Sequence, residues 1–258
     1  MRKAALVVLS WCWLCSCVST EPPKALISES PQSQATRTAE PQGKVQIETT
    51  KAADIVNLLT LSRKVPVTIE VAMAYAGKDN FTATVVPGYQ ANQCLLQQKA
   101  AEALLKVAQQ AELLGYRLQL LDCYRPQRAS AYFMQWVANA ADQKTKAAYY
   151  PRVEKSDLNQ AYIAAHSGHS RASTVDLTLL RKHSSGQWQA IDMGGAYDLF
   201  DPLSHSDSSA ITVEQKANRL LLKDLMQQQG FAPYQLEWWH FTLQNETYPN
   251  TYFDFEVN

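Results

Sequence analysis

The stretch SGHSRASTVDLTL, residues 167–179, joins a turn to a strand. Residues 174–180 carry the β-branched and apolar side chains typical of a buried strand. His169 lies in the turn, and Asp176 lies in the strand seven residues later. A turn followed by a strand can bring both side chains to one point.

A second stretch, EWWHF at residues 237–241, places Glu237 three residues before His240. In a regular strand these two side chains face opposite sides, but at a strand end or bend both can reach one centre. His169, Asp176 and His240 would supply nitrogen and oxygen ligands, a set that matches a catalytic zinc site with an open fourth position. Glu237 would then be the base that passes a proton from water to a leaving amine. The alternative is that these are unrelated surface or hydrogen-bonded core groups.

A third stretch, DCYRP at residues 122–126, puts Arg125 after a predicted strand and just before a predicted helix. A guanidinium aimed into a cleft from there could stabilise the oxyanion of a tetrahedral intermediate. The other role open to Arg125 is helix capping or an ion pair with Asp122.

Around these stretches, helices and strands mix without strict βαβ alternation, which favours an α+β domain with a largely antiparallel sheet flanked by helices. The helical signals are apolar residues at spacings of three and four, a helix-initiating proline at Pro126, and a capping box formed by Thr212 and Gln215. The predicted helices cover residues 93–114, 126–141 and 213–229. The predicted strands cover residues 116–123, 174–180, 188–192 and 237–243.

The N-terminal residues have the layout of a secretory signal. Residues 1–16 contain two basic residues and an apolar run, and LCSC at residues 14–17 resembles a bacterial lipobox. The sequence thus predicts a lipoprotein signal peptide, a lipidated Cys17 as membrane anchor, and a disordered tether over residues 17–50. A plain cleaved signal is the alternative, and both place the protein outside the cytoplasm, in the periplasm or cell envelope. The folded part is predicted as one domain, residues 51–258.

Composition narrows the class of partner. The chain has 258 residues, 46% of them hydrophobic, and its 24 basic residues balance 24 acidic ones, so nucleic acid is not an expected partner. Cys94 and Cys123 are the thiols left in an exported domain. They could pair in an oxidising compartment, or stay as two buried small hydrophobes. Nothing in the sequence fixes an oligomeric state.

Five motifs occur in one order along the chain and together resemble the D-alanyl-D-alanine dipeptidases, the dipeptidase type of vancomycin resistance. They are DNFT (79–82), DCYRPQR (122–128), SGHSRASTVDLTL (167–179), DMGGAYD (192–198) and EWWHF (237–241). The resemblance implies the zinc fold of the D,D-carboxypeptidases and the hedgehog signalling domain. It also implies one zinc ion per chain and a small D,D-dipeptide substrate.

Carried over by motif, the resemblance assigns a role to each matching residue. His169, Asp176 and His240 would bind zinc, Glu237 would act as general base and acid, and Arg125 would stabilise the transition state. Ser167 and Asp198 would hold the free amino group of the substrate. A buried carboxylate there favours binding of a free N-terminus. It disfavours an acylated chain, because such a chain would leave the carboxylate unpaired. A turn or N-cap role is the alternative for Asp198.

Two positions depart from the family pattern, which has Gly and Ala where this chain has Ala172 and Thr174. Alanine at position 172 is unfavourable if the backbone there has a positive φ, and Thr174 adds a hydroxyl near the site. Neither departure removes a ligand, so they bear on substrate range or rate. His166 could contact a ligand and His205 could line the cleft, but neither is expected to bind the metal.

Location bears on the expected role. An exported dipeptidase meets dipeptide released outside the cytoplasm, so we expect a part in the turnover or salvage of wall peptides rather than in glycopeptide resistance. Two other functions stay open. One is a D,D- or L,D-carboxypeptidase that trims peptidoglycan stem peptides, and the other is a zinc-containing binding lipoprotein without catalysis.

Overall fold

The structure is a computed structural model that describes residues 44–258. The predicted signal peptide, Cys17 and most of the predicted tether lie outside the described residues. Ten strands are present in the described part: β1 (Gln46–Glu48), β2 (Ile55–Asn57), β3 (Ile69–Val71), β4 (Leu95–Gln97), β5 (Tyr116–Asp122), β6 (Thr174–Lys182), β7 (Trp188–Ala190), β8 (Phe231–Tyr234), β9 (Glu237–Leu243) and β10 (Thr251–Phe253).

Six α-helices accompany these strands in the same part of the chain: α1 (Leu58–Ser62), α2 (Gln98–Leu113), α3 (Gln127–Ala138), α4 (Lys146–Tyr149), α5 (Leu158–Ala161) and α6 (Val213–Gln228). The predicted capping box is confirmed, because Thr212 and Gln215 exchange side-chain and backbone hydrogen bonds at the start of α6. None of the helices in residues 44–258 combines the length and the hydrophobicity that a membrane span requires.

The central sheet has six strands in the order β3-β5-β6-β9-β8, with β7 paired to β6. It is mixed rather than largely antiparallel as predicted, because β3 runs parallel to β5 while the other pairs are antiparallel. The chain between β3 and β5 includes β4 and α2, and a crossover of that length allows two strands to pair in parallel.

Two cores flank this sheet. Helices α2 and α6 cover one face, where Val175, Leu177 and Leu179 of β6 are buried among apolar side chains from both helices. The second core is largely aromatic and collects around α3. Alternation along β6 turns Asp176 to the face opposite Val175 and Leu177. The site lies on that opposite face.

Strand β1 lies inside the segment predicted as tether. It pairs in parallel with β10, and the Gln46 amide donates to the carbonyl of Asn250 at 3.0 Å. Ile47 remains 55% exposed, so backbone pairing rather than apolar burial holds this strand. The amino-acid composition of this segment does not indicate such pairing, so the strand was not predicted. The folded part begins before the predicted boundary at residue 51.

Candidate active site

The strand register brings three acidic and imidazole side chains into one row. Asp122 of β5 lies opposite Asp176 of β6, and Asp176 lies opposite His240 of β9. Opposite residues in paired strands share a face, so the three side chains project together. His169 joins them from the 3₁₀ helix Gly168–Arg171, which comes just before β6. The turn and strand predicted from residues 167–179 are therefore present.

An irregularity in β9 brings Glu237 to the same place. Pro233 pairs with Phe241, but the next residue of β8, Tyr234, pairs with Glu237. One step on β8 thus corresponds to four on β9, and this bulge re-aims the side chains between them. Oε2 of Glu237 lies 3.6 Å from Nδ1 of His240, although the two residues are three apart in a strand.

Three ligand atoms form a tight triangle. Nε2 of His169 lies 3.2 Å from Oδ1 of Asp176 and 3.2 Å from Nδ1 of His240, and that Nδ1 lies 3.0 Å from the same Oδ1. Nδ1 of His169 donates to the carbonyl of Cys123 at 2.7 Å, which leaves Nε2 as an acceptor. Burial lowers the pKa of His240 and favours its neutral form.

The three ligand atoms include more hydrogen-bond acceptors than donors. Because His240 is neutral, at most one proton can lie between Nε2 of His169 and Nδ1 of His240. Oδ1 of Asp176 is buried, but it accepts no hydrogen bond from any described residue. A buried acceptor without a donor is unfavourable, and a cation bound by all three atoms would satisfy it. Among the described residues, His169, Asp176 and His240 form the group able to hold a metal ion, and their donor set fits one.

Arg125 lies beside this triangle. Its Nε and Nη2 atoms bind Oδ2 of Asp122 at 2.9 and 2.8 Å, and Nη2 lies 3.9 Å from Asp176. The guanidinium also packs over the rings of Tyr75 and Phe133, 5.0 and 5.1 Å from their centroids. The ion pair offered as an alternative role for Arg125 is thus present, and it orients the cation toward the cleft.

Asp198 stands on the loop between β7 and α6, with a positive φ of 60°. The Tyr75 hydroxyl donates to its carboxylate, at 3.0 Å from Oδ2. Burial, followed by the nearby Asp176 carboxylate, raises the pKa of both Asp198 and Glu237 well above their ordinary values. A cationic ligand would relieve this crowding of negative groups.

The buried side chain of Arg219 holds the loop that carries Asp198 in place. Arg219 of α6 donates to the carbonyls of Met193, His205 and Leu203, at 2.6, 2.7 and 3.0 Å. These three carbonyls lie on both sides of Asp198 in the chain. The loop is therefore held by helix α6 rather than left free to move over the cleft.

The sequence-predicted site residues of the described chain meet in one cleft of about 410 Å³. It is lined by Arg125, Ser167, His169, Asp176, Asp198, Glu237 and His240. Ser167 Oγ also accepts the His169 amide at 3.3 Å, so it caps the 3₁₀ helix. Aromatic rings of the second core close the cleft on one side. A small cleft lined by charged groups of both signs suits a small zwitterionic ligand.

The two other histidines near the site differ in whether they line the cleft. His166 is exposed, lines the cleft and lies with its ring centroid 5.0 Å from that of Tyr252. His205 does not line this cleft; its Nε2 lies 3.0 Å from the hydroxyl of Tyr162, which does. Neither belongs to the ligand triangle.

The structure shows the surroundings of both departures from the family pattern. Ala172 has φ 57°, so the condition that makes alanine unfavourable there holds. Oγ1 of Thr174 lies 2.9 Å from Oγ1 of Thr242 on the neighbouring strand and close against Gly168. The added hydroxyl is thus paired with Thr242 within the sheet, on the face that carries Asp176 and His240.

Two tyrosines of the site were not singled out from the sequence. Tyr75 binds Asp198, and the Tyr197 hydroxyl donates to Oδ2 of Asp176 at 3.0 Å. Tyr197 precedes Asp198 in the motif at residues 192–198, so the sequence could have indicated that it lies at the site. Tyr75 belongs to no motif quoted above, and only the folded chain brings it to the site.

Comparison with known proteins identifies the group to which this architecture belongs. The model of the family Peptidase_M15, described as D-ala-D-ala dipeptidase, matches residues 56–258. The chain belongs to this dipeptidase family. Its relatives include D-alanyl-D-alanine dipeptidases of Streptomyces coelicolor, 45% identical over 184 residues, and of Enterococcus faecium, 42% identical over 184 residues. In both cases the match covers 71% of this chain and 90% of the relative.

A more distant D-alanyl-D-alanine dipeptidase, from Escherichia coli, is 34% identical over 182 residues, which cover 70% of this chain and 82% of the relative. Peptidase_M15 is a family of metal-dependent peptidases, and the chain is therefore an enzyme of that class. The resemblance inferred from the five motifs is confirmed. In this dipeptidase family member, the residues that precede position 56, including β1, lie outside the matched part.

Proposed function

We propose that the protein hydrolyses the dipeptide D-Ala-D-Ala to two D-alanines, with a zinc ion held by His169, Asp176 and His240. The observation that carries this proposal is the triangle of three ligand atoms with an unsatisfied Asp176 Oδ1 at its corner. Zinc in a tetrahedral site holds its ligands at roughly 2.0–2.2 Å, so ligand atoms lie roughly 3.3 Å apart. The observed separations of 3.0 to 3.2 Å fit that arrangement.

Zinc supplies Lewis acidity, which polarises a carbonyl and makes water a better nucleophile near neutral pH. Glu237 is the group positioned to move the proton: it takes one from the attacking water and gives it to the leaving amine. Burial raises its pKa, which suits a carboxyl group that must hold the proton between those two steps. Arg125 faces the same space and stabilises negative charge on the former carbonyl oxygen.

Asp198 and Ser167 are proposed to hold the free ammonium of the dipeptide. Asp198 is 3% exposed, and the Tyr75 hydroxyl is its one described side-chain donor, so its carboxylate keeps capacity for a cation. An N-acylated or longer peptide has no ammonium at that point and would bury the carboxylate unpaired. This arrangement favours a dipeptidase over a carboxypeptidase acting on stem peptides.

The test is release of D-alanine from D-Ala-D-Ala by the purified protein, with and without zinc. Glu237→Gln should abolish release while zinc stays bound, because the ligand triangle is untouched. Glu102→Gln, on the exposed face of α2, is the matched control and should behave as the wild type. N-acetyl-D-Ala-D-Ala and a stem pentapeptide complete the assay.

The outcomes separate the functions left open by the sequence. Faster cleavage of the pentapeptide than of the dipeptide would replace the dipeptidase by a carboxypeptidase. Zinc binding without cleavage of any of these substrates would favour a binding lipoprotein.

We further propose that the protein is exported and anchored to the membrane through a lipid on Cys17, in the periplasm or cell envelope. The Cys94–Cys123 disulfide supports export, because such bonds persist in oxidising compartments. Replacement Cys17→Ser should release the protein from membranes without changing its activity. If it stays membrane-bound, the anchor lies elsewhere.

From this location follows a role in turnover or salvage of wall peptides. Deletion of the protein should let D-Ala-D-Ala accumulate outside the cytoplasm and leave the cytoplasmic pool unchanged. A rise confined to the cytoplasm would contradict this role.

A further inference from the structure

The segment from Asp122 to Arg125 contacts the site at two points. Asp122 holds Arg125, and the carbonyl of Cys123 accepts the Nδ1 proton of His169 at 2.7 Å. Strand β5 ends at Asp122, just after an irregularity in its pairing with β6. The carbonyl that orients a metal ligand therefore stands beyond the end of the sheet.

Two links hold this segment against the start of β4, one to the residue just before the strand and one to its first residue. Cys123 is disulfide bonded to Cys94, and the amide of Tyr124 donates to the carbonyl of Leu95 at 3.0 Å. Cys94 is itself held, because its carbonyl accepts the amide of Leu58 at 3.0 Å. Both cysteines are fully buried. The covalent link is thus attached to the residue whose carbonyl binds His169.

We propose that the Cys94–Cys123 disulfide is a positioning element of the metal site. It holds the Cys123 carbonyl in place, this carbonyl binds Nδ1–H of His169, and Nε2 is thereby turned toward Asp176 and His240. A partner on the second ring nitrogen fixes the tautomer and orientation of a histidine ligand. This inference rests on the metal use stated under the proposed function, but its test needs no substrate.

The first readout is the rate at which the zinc-loaded full chain releases zinc to an excess of chelator. Loss of a partner that orients a ligand typically weakens metal binding 10- to 100-fold. The pair Cys94→Ala/Cys123→Ala keeps the carbonyl of residue 123 but frees it from the disulfide, so zinc release should be about tenfold faster than in the wild type, the lower end of that range. Leu225→Ala is the control: it removes buried volume from α6, on the far face of the sheet, and should lower stability without changing zinc release.

The second readout is the Nδ1–H proton of His169, observed by NMR in the zinc-loaded protein. In the wild type it should exchange slowly with water, because it is buried and bonded to a carbonyl. In the cysteine variant it should exchange faster. If the double variant does not fold, Cys94→Ala alone breaks the disulfide and retains the sulfur of Cys123.

Equal zinc release and equal proton exchange in wild type and variant would overturn the inference and leave the disulfide a stabilising link only. Equal acceleration in the cysteine variant and in Leu225→Ala would do the same. A wild type that retains zinc but cleaves no dipeptide would refute the proposed function alone. A wild type that retains no zinc would refute both.

Discussion

The Tyr75 hydroxyl lies 3.0 Å from Oδ2 and 3.2 Å from Oδ1 of Asp198, and it donates its proton to that carboxylate. The ring of Tyr75 also lies under the guanidinium of Arg125. A single tyrosine thus supports the proposed ammonium-binding carboxylate and the proposed transition-state cation. Burial is the main reason that the pKa of Tyr75 is raised, so the hydroxyl remains a donor at neutral pH.

Replacement Tyr75→Phe should mainly raise KM. A hydrogen bond to a charged group contributes roughly 1.5–3 kcal/mol, so kcat/KM for D-Ala-D-Ala should fall roughly 10- to 100-fold. In its proposed role, Asp198 would bind the ammonium equally before and during reaction, so kcat should change little. Tyr150→Phe, at a buried tyrosine that does not line the cleft, is the control. A loss confined to kcat would show that Tyr75 acts on the chemical step instead.

Replacement Arg125→Lys should lower kcat by about 100-fold, although the charge is kept. Lysine cannot reproduce the two-atom contact with Asp122 or the planar packing on Tyr75 and Phe133. Steady-state kinetics measure the loss. Arg128→Lys, at an arginine that pairs with Asp254 and does not line the cleft, should retain wild-type kcat. A lysine variant with half the original kcat would mean that charge alone is needed.

Removal of the metal should destabilise the fold. With the cation gone, Oδ1 of Asp176 has no donor, and the two ring nitrogens beside it share at most one proton. A ligand present at 100 times its Kd stabilises the native state by about 2.7 kcal/mol, so chelation should lower the thermal midpoint measurably. Calorimetry with and without chelator provides the measurement. Asp176→Asn should respond much less, and an equal response would place the stabilising metal elsewhere.

Substitutions at Ala172 should test its left-handed backbone. Glycine relieves strain of about 1 kcal/mol but removes a buried methyl group that contributes about 0.8 kcal/mol, so Ala172→Gly should be nearly neutral. Ala172→Val places a β-branched side chain at φ 57° in a fully buried position and should destabilise by more than 2 kcal/mol. Urea denaturation compares the two. A valine variant as stable as the wild type would show that the backbone there can relax.

Much of the site could be predicted from the sequence because its residues sit in local patterns. Local sequence patterns, such as apolar periodicity and capping residues, predicted the turn and strand at residues 167–179, helix α6 with its capping box, and strand β9. The two cysteines could not be paired from the sequence, since both a disulfide and separate burial suit such residues. Their bond is present.

Other features depend on long-range pairing that no local pattern records. The parallel pairing of β3 with β5 makes the sheet mixed, and β1 is held by its backbone contact with β10, about 200 residues away in the chain. A strand end or bend was predicted as a way for Glu237 and His240 to converge, but a bulge in β9 was not predicted. Tyr75 reaches Asp198 across 123 residues, and tertiary folding alone creates that contact.

The positive φ of Asp198 has a consequence for engineering. Glycine would adopt this backbone more easily, so a selection for thermostability alone would reward the loss of the carboxylate at position 198. Variants obtained in that way would keep the ligand triangle and the fold, yet they should discriminate poorly between free and acylated peptides. With Asp198 in its proposed role, heat tolerance and substrate discrimination would be opposed at this one residue, and a useful screen must score both.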